Sequence, residues 1–116
     1  MELQSRIASA HAQPVLLSAE EASAHSQKLL ILDAQNPKYL TSTVPKAKRL
    51  NIDILLRDIP KAQPVLLVCL NGYRSLTVAK QLLRRGYLAV YVLKGGIIGW
   101  RQAGFTVQGI KKLHNG

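Results

Sequence analysis

The one cysteine of the chain, Cys69, begins the loop with the strongest potential for chemistry. It ends a short apolar run, and a segment with helical spacing begins near Ser75, so the loop joins a buried strand to a helix N-terminus. Backbone amides of the turn, the positive end of the helix dipole and the charge of Arg74 all stabilise a thiolate there. Because the thiolate is the nucleophilic form of cysteine, this pattern predicts that Cys69 acts as a nucleophile.

A glycine in the same loop, Gly72, supports this interpretation, because it lets the backbone curl until successive amides face one point. The alternative is that Cys69 is only a small buried apolar residue at the end of a strand, as many free cysteines are. A strand-terminal cysteine followed by a glycine, an arginine and a helix-opening serine is more than packing requires. We therefore expect a reactive site at Cys69.

The net charge of the chain is concentrated around that loop. The 116 residues include 16 Lys and Arg against 6 Asp and Glu, which gives a formal net charge of +10. No acid follows Asp58, whereas more than half of the basic residues do, so a carboxylate needed at Cys69 must come from the first half of the chain. This imbalance predicts a positive field that attracts anions. A single cysteine also excludes an intramolecular disulfide, a multi-cysteine zinc site and an iron–sulfur cluster.

Three apolar runs predict the strands of a small sheet that holds this loop. They cover residues 29–32, 64–68 and 89–93, and runs this short between polar residues are typical of strands buried on both faces. Helices are predicted from about Ala19, where Ser18 and Glu21 form a capping box, and over 52–59, 75–85 and 97–103. This alternation predicts an α/β fold with a small parallel sheet flanked by helices on both faces.

The remaining segments carry no regular pattern. Residues 34–46 are predicted to form a loop with at most one helical turn, and 104–107 a last extended piece. We expect one domain over 15–107, a flexible N-terminal segment over 1–14 and a C-terminal tail over 108–116. The apolar runs are far shorter than the roughly 20 residues that span a bilayer, and residues 1–17 lack the apolar core of a secretory signal. A cytoplasmic protein is therefore the default, with import into an organelle left open.

Four stretches, in this order, resemble the rhodanese family of sulfurtransferases, and together they extend over about 15–107. Residues 30–33 resemble the family's first strand with its terminal aspartate, and 44–47 resemble a segment that members write as Ile-Pro-Gly-Ala. Residues 65–75 resemble the active-site strand and loop. Residues 93–100 resemble the closing signature, in which Gly95 and Gly96 are followed by Gly99 and Trp100.

The resemblance implies a persulfide mechanism without a metal or cofactor. Cys69 is the implied catalytic residue: its thiolate takes a sulfane sulfur from thiosulfate or a protein persulfide and passes it to cyanide or to a thiol acceptor such as a thioredoxin-like protein. The implied substrate-binding residues follow the cysteine: Leu70, Asn71, Gly72, Tyr73 and Arg74. The supporting residues are Ser75 and Asp33, and we expect Asp33 to hydrogen-bond loop amides rather than to act as a base.

The length of the loop separates two chemistries that this fold supports. Four residues stand between Cys69 and Arg74, which resembles the sulfurtransferase branch. The related phosphatases and arsenate reductases place five residues between cysteine and arginine, and their longer loop wraps a tetrahedral phosphate. Here Ser75 stands where their arginine would be. The resemblance therefore favours sulfur chemistry over phosphate chemistry.

Several positions depart from the family pattern and leave another function open. They are Ala34, Gln35, Thr43, Lys46 and Leu70, which replace a valine, an arginine, a histidine, a glycine and an arginine or other polar residue. Because these positions support or line the site, the first alternative is a weakly active or inactive rhodanese-fold module that binds a partner or carries sulfur. The apolar Leu70 also favours a protein persulfide as donor.

Nucleic acid is the second alternative, since a sulfur carrier that serves tRNA thiolation would use a basic surface. Aromatic residues make up only 5% of the chain and no nucleic-acid-binding motif is present, so we expect neither nucleic acid nor membrane as a partner. We expect a monomer. Trp100 is predicted to anchor the last helix by packing, Tyr73 either to wall the site or to lie on the surface, and His11, His25 and His114 to be solvated.

Overall fold

The computed structural model describes residues 12–39 and 42–109 of the chain. The strands of these residues are β1 (Val15–Leu17), β2 (Leu30–Asp33), β3 (Ser42–Thr43), β4 (Lys48–Arg49), β5 (Val65–Val68), β6 (Val90–Leu93) and β7 (Gln108–Gly109). The α-helices are α1 (Ala19–Ala24), α2 (Ile52–Asp58), α3 (Tyr73–Arg84) and α4 (Gly96–Gln102), and 3-10 turns cover Ser26–Lys28 and Pro37–Tyr39. Most of the predicted N-terminal segment and tail, with His11 and His114, lies outside the described residues.

A five-stranded parallel sheet forms the centre of the fold, in the order β1-β6-β5-β2-β4. Its three middle strands come from the three apolar runs, and all four residues of β5 and of β6 are buried. The predicted α/β class with a small parallel sheet is therefore confirmed. The sequence pattern does not predict the two edge strands, because strands of two or three residues are too short to show a period.

Alternate residues of the central strand face opposite layers of the core. On β5, Leu66 and Val68 belong to a buried cluster that includes residues of α1 and α4. Val65 and Leu67 belong to a second cluster, which includes residues of α2 and α3. The helices therefore cover both faces, as predicted, with α3 on one face and α4 on the other.

The starts of the helices follow from local sequence to different degrees. The capping box of α1 is confirmed, since Ser18 N donates to Glu21 Oε1 and Glu21 N donates to Ser18 Oγ, each at 3.0 Å. Helices α3 and α4 begin at Tyr73 and Gly96, earlier than the predicted starts at 75 and 97. Both follow a glycine in a left-handed conformation, which turns the chain directly into the first helical turn.

A second, two-stranded sheet corrects the prediction for the irregular segments. Strand β7 pairs antiparallel with β3, so the last extended piece lies at Gln108–Gly109 and not over 104–107. Strand β3 lies inside the segment predicted to be a loop. Neither two-residue strand has a local signal, because each depends on its distant partner. No helix within 12–39 and 42–109 combines the length and apolar character needed to cross a bilayer.

Candidate active site

Cys69 lies directly after the central strand β5 and is only 2% exposed. The neighbouring strands β2 and β6 end at the same edge of the sheet, where ligands bind in open parallel α/β folds. The loop after β2 is joined to this edge by a hydrogen bond of 2.7 Å from Ala34 N to Val68 O. The loop after β6 is joined to it by the amide of Ile97, which donates to Cys69 O at 2.9 Å. Three loops therefore meet at Cys69.

Two backbone amides donate to the sulfur. Gly72 N lies 3.1 Å and Ser75 N 3.4 Å from Cys69 Sγ. Both belong to the start of α3, where amides lack partners within the helix and the dipole is positive. Amides in this arrangement can stabilise negative charge that develops on the atom they face during a reaction. The sequence predicts donors within Leu70 to Arg74, and the structure brings Gly72 to the sulfur and adds Ser75, which lies just beyond that range.

The shape of the loop comes from Asn71 and Gly72. Tyr73 N donates to Asn71 Oδ1 at 3.1 Å, an Asx turn that reverses the backbone without help from another element. Gly72 has a φ of +99°, a conformation that L side chains rarely adopt. Together they curl the chain so that the amides of Gly72 and Ser75 reach one atom.

The N-terminus of α4 supports the loop that follows Cys69. Its amides at Ile97 and Ile98 donate to the carbonyl oxygens of Cys69 and Leu70, at 2.9 and 3.0 Å. Gly96 packs directly against these carbonyls, and a Cβ atom there would overlap the oxygen of Cys69. This contact explains the glycine pair of the closing signature: it lets the N-terminus of α4 hold the two carbonyls, which leaves the amides of the loop free to face the sulfur.

Trp100 fixes α4 in that position. It is 5% exposed, its Nε1 donates to Thr106 O at 2.7 Å, and its ring centroid lies 4.8 Å from that of Phe105. These contacts agree with the predicted packing role. The indole therefore joins α4 to the segment that follows it.

Asp33 braces the loop after β2. The residue is 2% exposed and accepts hydrogen bonds at 2.8 Å from both Gln35 N and Gln35 Nε2, while Arg49 Nη1 lies 3.3 Å from its Oδ1. Gln35 Nε2 also donates to Ser42 O at 2.9 Å. These contacts agree with the expectation that Asp33 binds loop amides. Sequence reasoning treats Gln35 only as a departure and misses Arg49, because both act through contacts that no local pattern encodes.

A cavity of about 170 Å³ opens at the thiol. Its lining consists of Gln35, Asn36, Cys69, Leu70, Asn71 and Arg74, so none of the lining residues is acidic. Arg74 is held at the wall because its Nε donates to Ala34 O at 2.6 Å. Leu70 is 54% exposed. The cavity therefore combines a buried nucleophile, a guanidinium and an apolar side chain near the surface. We refer to it as the thiol cavity.

The other predicted site residues occupy different surroundings. Tyr73 is 75% exposed and does not line the thiol cavity, so of the two predicted positions it takes the surface. Ser75 is fully buried, and its Oγ makes no hydrogen bond within the described part of the chain. His25 is half-buried at the end of α1, rather than fully solvated. Within 12–39 and 42–109, no three His, Cys, Asp or Glu side chains are grouped as metal ligands.

The sequence of the chain is similar to those of known proteins. The chain matches the rhodanese-like domain family over residues 8–103. A sulfurtransferase of Allochromatium vinosum is 31% identical over 94 residues, which are 78% of this chain and 88% of that protein. The thiosulfate sulfurtransferase GlpE of Tolumonas auensis is 34% identical over 91 residues, which are 73% of this chain and 86% of that protein.

Solved structures share the fold as well. The rhodanese-like domain of the Alr3790 protein from Anabaena superposes with a TM-score of 0.74 at 17% identity. The superposition covers 90% of this chain and 87% of that one. At this level of identity the likeness concerns the path of the backbone, so any chemistry has to be argued from the residues at the end of β5.

Proposed function

The chain belongs to the rhodanese-like domain family, and from this premise we propose that it is a sulfurtransferase that carries a sulfane sulfur as a persulfide on Cys69. One observation carries the proposal. The amides of Gly72 and Ser75 both point at the sulfur of Cys69, in a cavity whose lining holds a guanidinium and no acid. That environment suits a thiolate, and it suits the anionic persulfide that replaces it.

The first half-reaction loads the enzyme. The Cys69 thiolate attacks the outer sulfur of thiosulfate, a sulfur–sulfur bond forms to Cys69, and the bond within thiosulfate breaks so that sulfite leaves with the electron pair. Arg74 lines the cavity and offers its guanidinium to the anionic donor. The exposed Leu70 suits a protein persulfide as a second donor, because an apolar side chain at the surface favours contact with a protein.

The second half-reaction unloads it. A nucleophilic acceptor attacks the outer sulfur of the persulfide, and Cys69 leaves as a thiolate, so the two half-reactions need no external oxidant or reductant. Cyanide gives thiocyanate, and a thiol, for example that of a thioredoxin-like protein, gives its own persulfide. The loop amides serve both steps, because the anion on Cys69 is the attacking group in one and the leaving group in the other.

The proposal is tested by mixing the protein with thiosulfate and cyanide and measuring thiocyanate. Cys69→Ser is the matched control, since it changes the sulfur to oxygen and keeps the shape of a buried side chain. We expect the wild type to turn over and to gain the mass of one sulfur atom after thiosulfate alone. The variant should do neither. Wild-type protein that takes up no sulfur from thiosulfate or from a protein persulfide would contradict the proposal.

The same measurements separate an enzyme from a sulfur carrier. A wild-type protein that gains one sulfur but gives no thiocyanate would act as a carrier that needs a specific acceptor. Gln35 bears on this alternative, because its side-chain amide binds both Asp33 and Ser42 and so ties the loop after β2 to β3, although it is not the arginine common in the family. The loop is braced despite the substitution, which favours the active enzyme.

A further inference from the structure

A second, larger cavity lies next to the thiol cavity. It has a volume of about 670 Å³ and lies between α3 and the segment from Arg49 to Ile52. Arg74 lines both cavities and so stands between them. We call the larger one the side groove. Its volume falls within the range of about 300–1,000 Å³ that is usual for small-molecule sites.

The lining of the side groove has a distinct chemistry. Leu50, Ile52 and Val78 contribute apolar surface, whereas Arg49 and Arg74 contribute positive charge, and no acid lines the groove. Apolar surface beside a guanidinium is suited to an organic molecule that carries a carboxylate.

The two arginines are held in different ways. Arg49 is joined to Asp33, so part of its charge is already compensated. Arg74 uses its Nε on the carbonyl oxygen of Ala34, and within the described residues its terminal nitrogens make no hydrogen bond. The guanidinium of Arg74 is therefore oriented by the protein and left open to an anion.

We propose that the side groove binds the body of a small organic thiol that carries a carboxylate, and that this thiol is the sulfur acceptor. The inference rests on the proposed function. The carboxylate contacts Arg74, the apolar part lies against Val78 and Ile52, and the thiolate of the acceptor reaches past Arg74 into the thiol cavity. There it attacks the outer sulfur of the Cys69 persulfide. A new sulfur–sulfur bond forms on the acceptor, and Cys69 is released as a thiolate, so the acceptor sulfur is oxidised and Cys69 reduced.

The test compares N-acetylcysteine with N-acetylcysteine amide, two thiols that differ in one carboxylate. Both are offered to the persulfide form of the full chain, and kcat/KM is measured for each. Gln81→Glu adds a negative charge to an exposed residue that lines the groove. Gln102→Glu is the matched control, because it makes the same change on an exposed helical residue that lines neither cavity. The two thiols differ in basicity, but that difference is the same for every variant and cancels when their ratios are compared.

We expect Gln81→Glu to lower the ratio of kcat/KM for the acid over the amide by about twofold to fivefold, because the added carboxylate repels the carboxylate of the acid and interactions between exposed charges are of this size. Gln102→Glu should leave the ratio unchanged. Equal ratios in all three proteins, with thiocyanate production intact, would overturn the side-groove proposal and leave the proposed function standing. A wild-type protein that forms no persulfide would remove the proposed function itself.

Discussion

The two ends of α3 use the same backbone device for different purposes. At the N-terminal end the chain turns at Gly72, with a φ of +99°, and at the C-terminal end it turns at Gly86, with a φ of +96°. At Gly72 the amide donates to the sulfur of Cys69. At Gly86 the amide donates to Leu83 O at 3.1 Å, and the next amide, that of Tyr87, donates to Leu82 O at 3.1 Å.

Tyr87 completes the C-terminal end. The residue is 2% exposed, and its Oη lies 2.6 Å from Leu55 O and 3.0 Å from Ile59 O, so it caps the last carbonyls of α2. Lys61 Nζ lies 4.3 Å from the centre of its ring. The polar groups of this end are thus used within the protein, and the contacts join α2 to the segment after α3.

The comparison suggests that the C-terminal end of α3 contributes mainly to stability and the N-terminal end mainly to the proposed chemistry. At the C-terminal end the hydrogen bonds described above join groups of the protein to one another. A change there should therefore lower the free energy of unfolding but not the activity. At the N-terminal end two amides are directed at the sulfur of Cys69, so a change there should cost more activity than the loss of stability explains. Substitutions at matching positions of the two ends test this division.

The largest effect on stability and activity is expected at Gly96, where α4 packs against the loop that follows Cys69. Alanine at Gly96 adds a Cβ that overlaps the Cys69 oxygen and lies 2.5 Å from the Leu70 oxygen, at a φ of +62°. We expect Gly96→Ala to lower the free energy of unfolding by about 3 kcal/mol or more, the sum of overpacking and left-handed strain. It should also abolish sulfur transfer in any folded fraction, because the two carbonyls must move.

Gly86→Ala is the control for Gly96→Ala, since its φ is also positive but no atom lies within 4 Å of the added Cβ. Strain alone should cost about 1–2 kcal/mol there. Urea unfolding measures both variants. Equal losses of stability would show that the close contact of Gly96 with the loop carbonyls adds nothing to the cost of left-handed strain.

Gly72→Ala should separate activity from stability. The added Cβ meets its nearest atom, Leu93 O, at 3.5 Å, an ordinary contact, so only strain remains and the loss of stability should match that of Gly86→Ala. Relief of the strain moves the amide of Gly72 away from the sulfur. We expect thiocyanate production to fall by about tenfold to a hundredfold, somewhat less than for loss of a full oxyanion donor.

Gly86→Ala should keep wild-type transfer at the temperature where it is folded. If Gly72→Ala and Gly86→Ala lose activity to the same extent, the loss follows from general destabilisation. The proposed role of the Gly72 amide in sulfur transfer would then be wrong. Measuring stability and thiocyanate on the same samples makes this distinction direct.

These two ends also differ in how far sequence reasoning reaches. The central strands, α1 with its capping box and Gly86 after α3 follow from apolar runs, spacing and cap residues, all of which are local signals. The edge strands β1 and β4 and the pair of β3 with β7 do not, because strands this short are selected by their partners.

The candidate site shows the same limit. Cys69 and Gly72 are evident from the loop itself, but the amide of Ser75 reaches the sulfur only because α3 begins at Tyr73, earlier than the apolar spacing indicates. The hydrogen bonds from α4 to the loop after Cys69 join segments that are distant in the chain. The hydrogen bond between Gln35 and Asp33 depends on a side-chain geometry that no sequence pattern indicates. The closing signature carries the one signal that pointed there, since a glycine pair marks a close approach of backbones.

A smaller effect is expected from the hydroxyl at the C-terminal end. Tyr87→Phe keeps the buried ring but removes the hydroxyl that contacts Leu55 O and Ile59 O, and of these two carbonyls Leu55 O keeps the amide of Ile59 as a donor, so the change should cost about 1–2 kcal/mol of unfolding free energy. Tyr73→Phe is the control at the other end, where the ring is 75% exposed and the same deletion should not change stability. Thermal unfolding compares the two. A Tyr87→Phe protein as stable as the wild type would mean that water replaces the hydroxyl at no cost.

The smallest effect is the pH dependence of the same contact. Burial raises the pKa of Tyr87 above its usual value of 10.0. In the folded state the phenol therefore keeps its proton at a pH where the unfolded chain has lost it, so the unfolded state binds fewer protons and stability falls as pH rises. The contribution is fully present below about pH 10 and is lost above it. We expect the difference in unfolding free energy between the wild type and Tyr87→Phe to be constant from neutral pH to about 9 and to shrink above 10. A difference that grows with pH would mean that the folded state stabilises the phenolate.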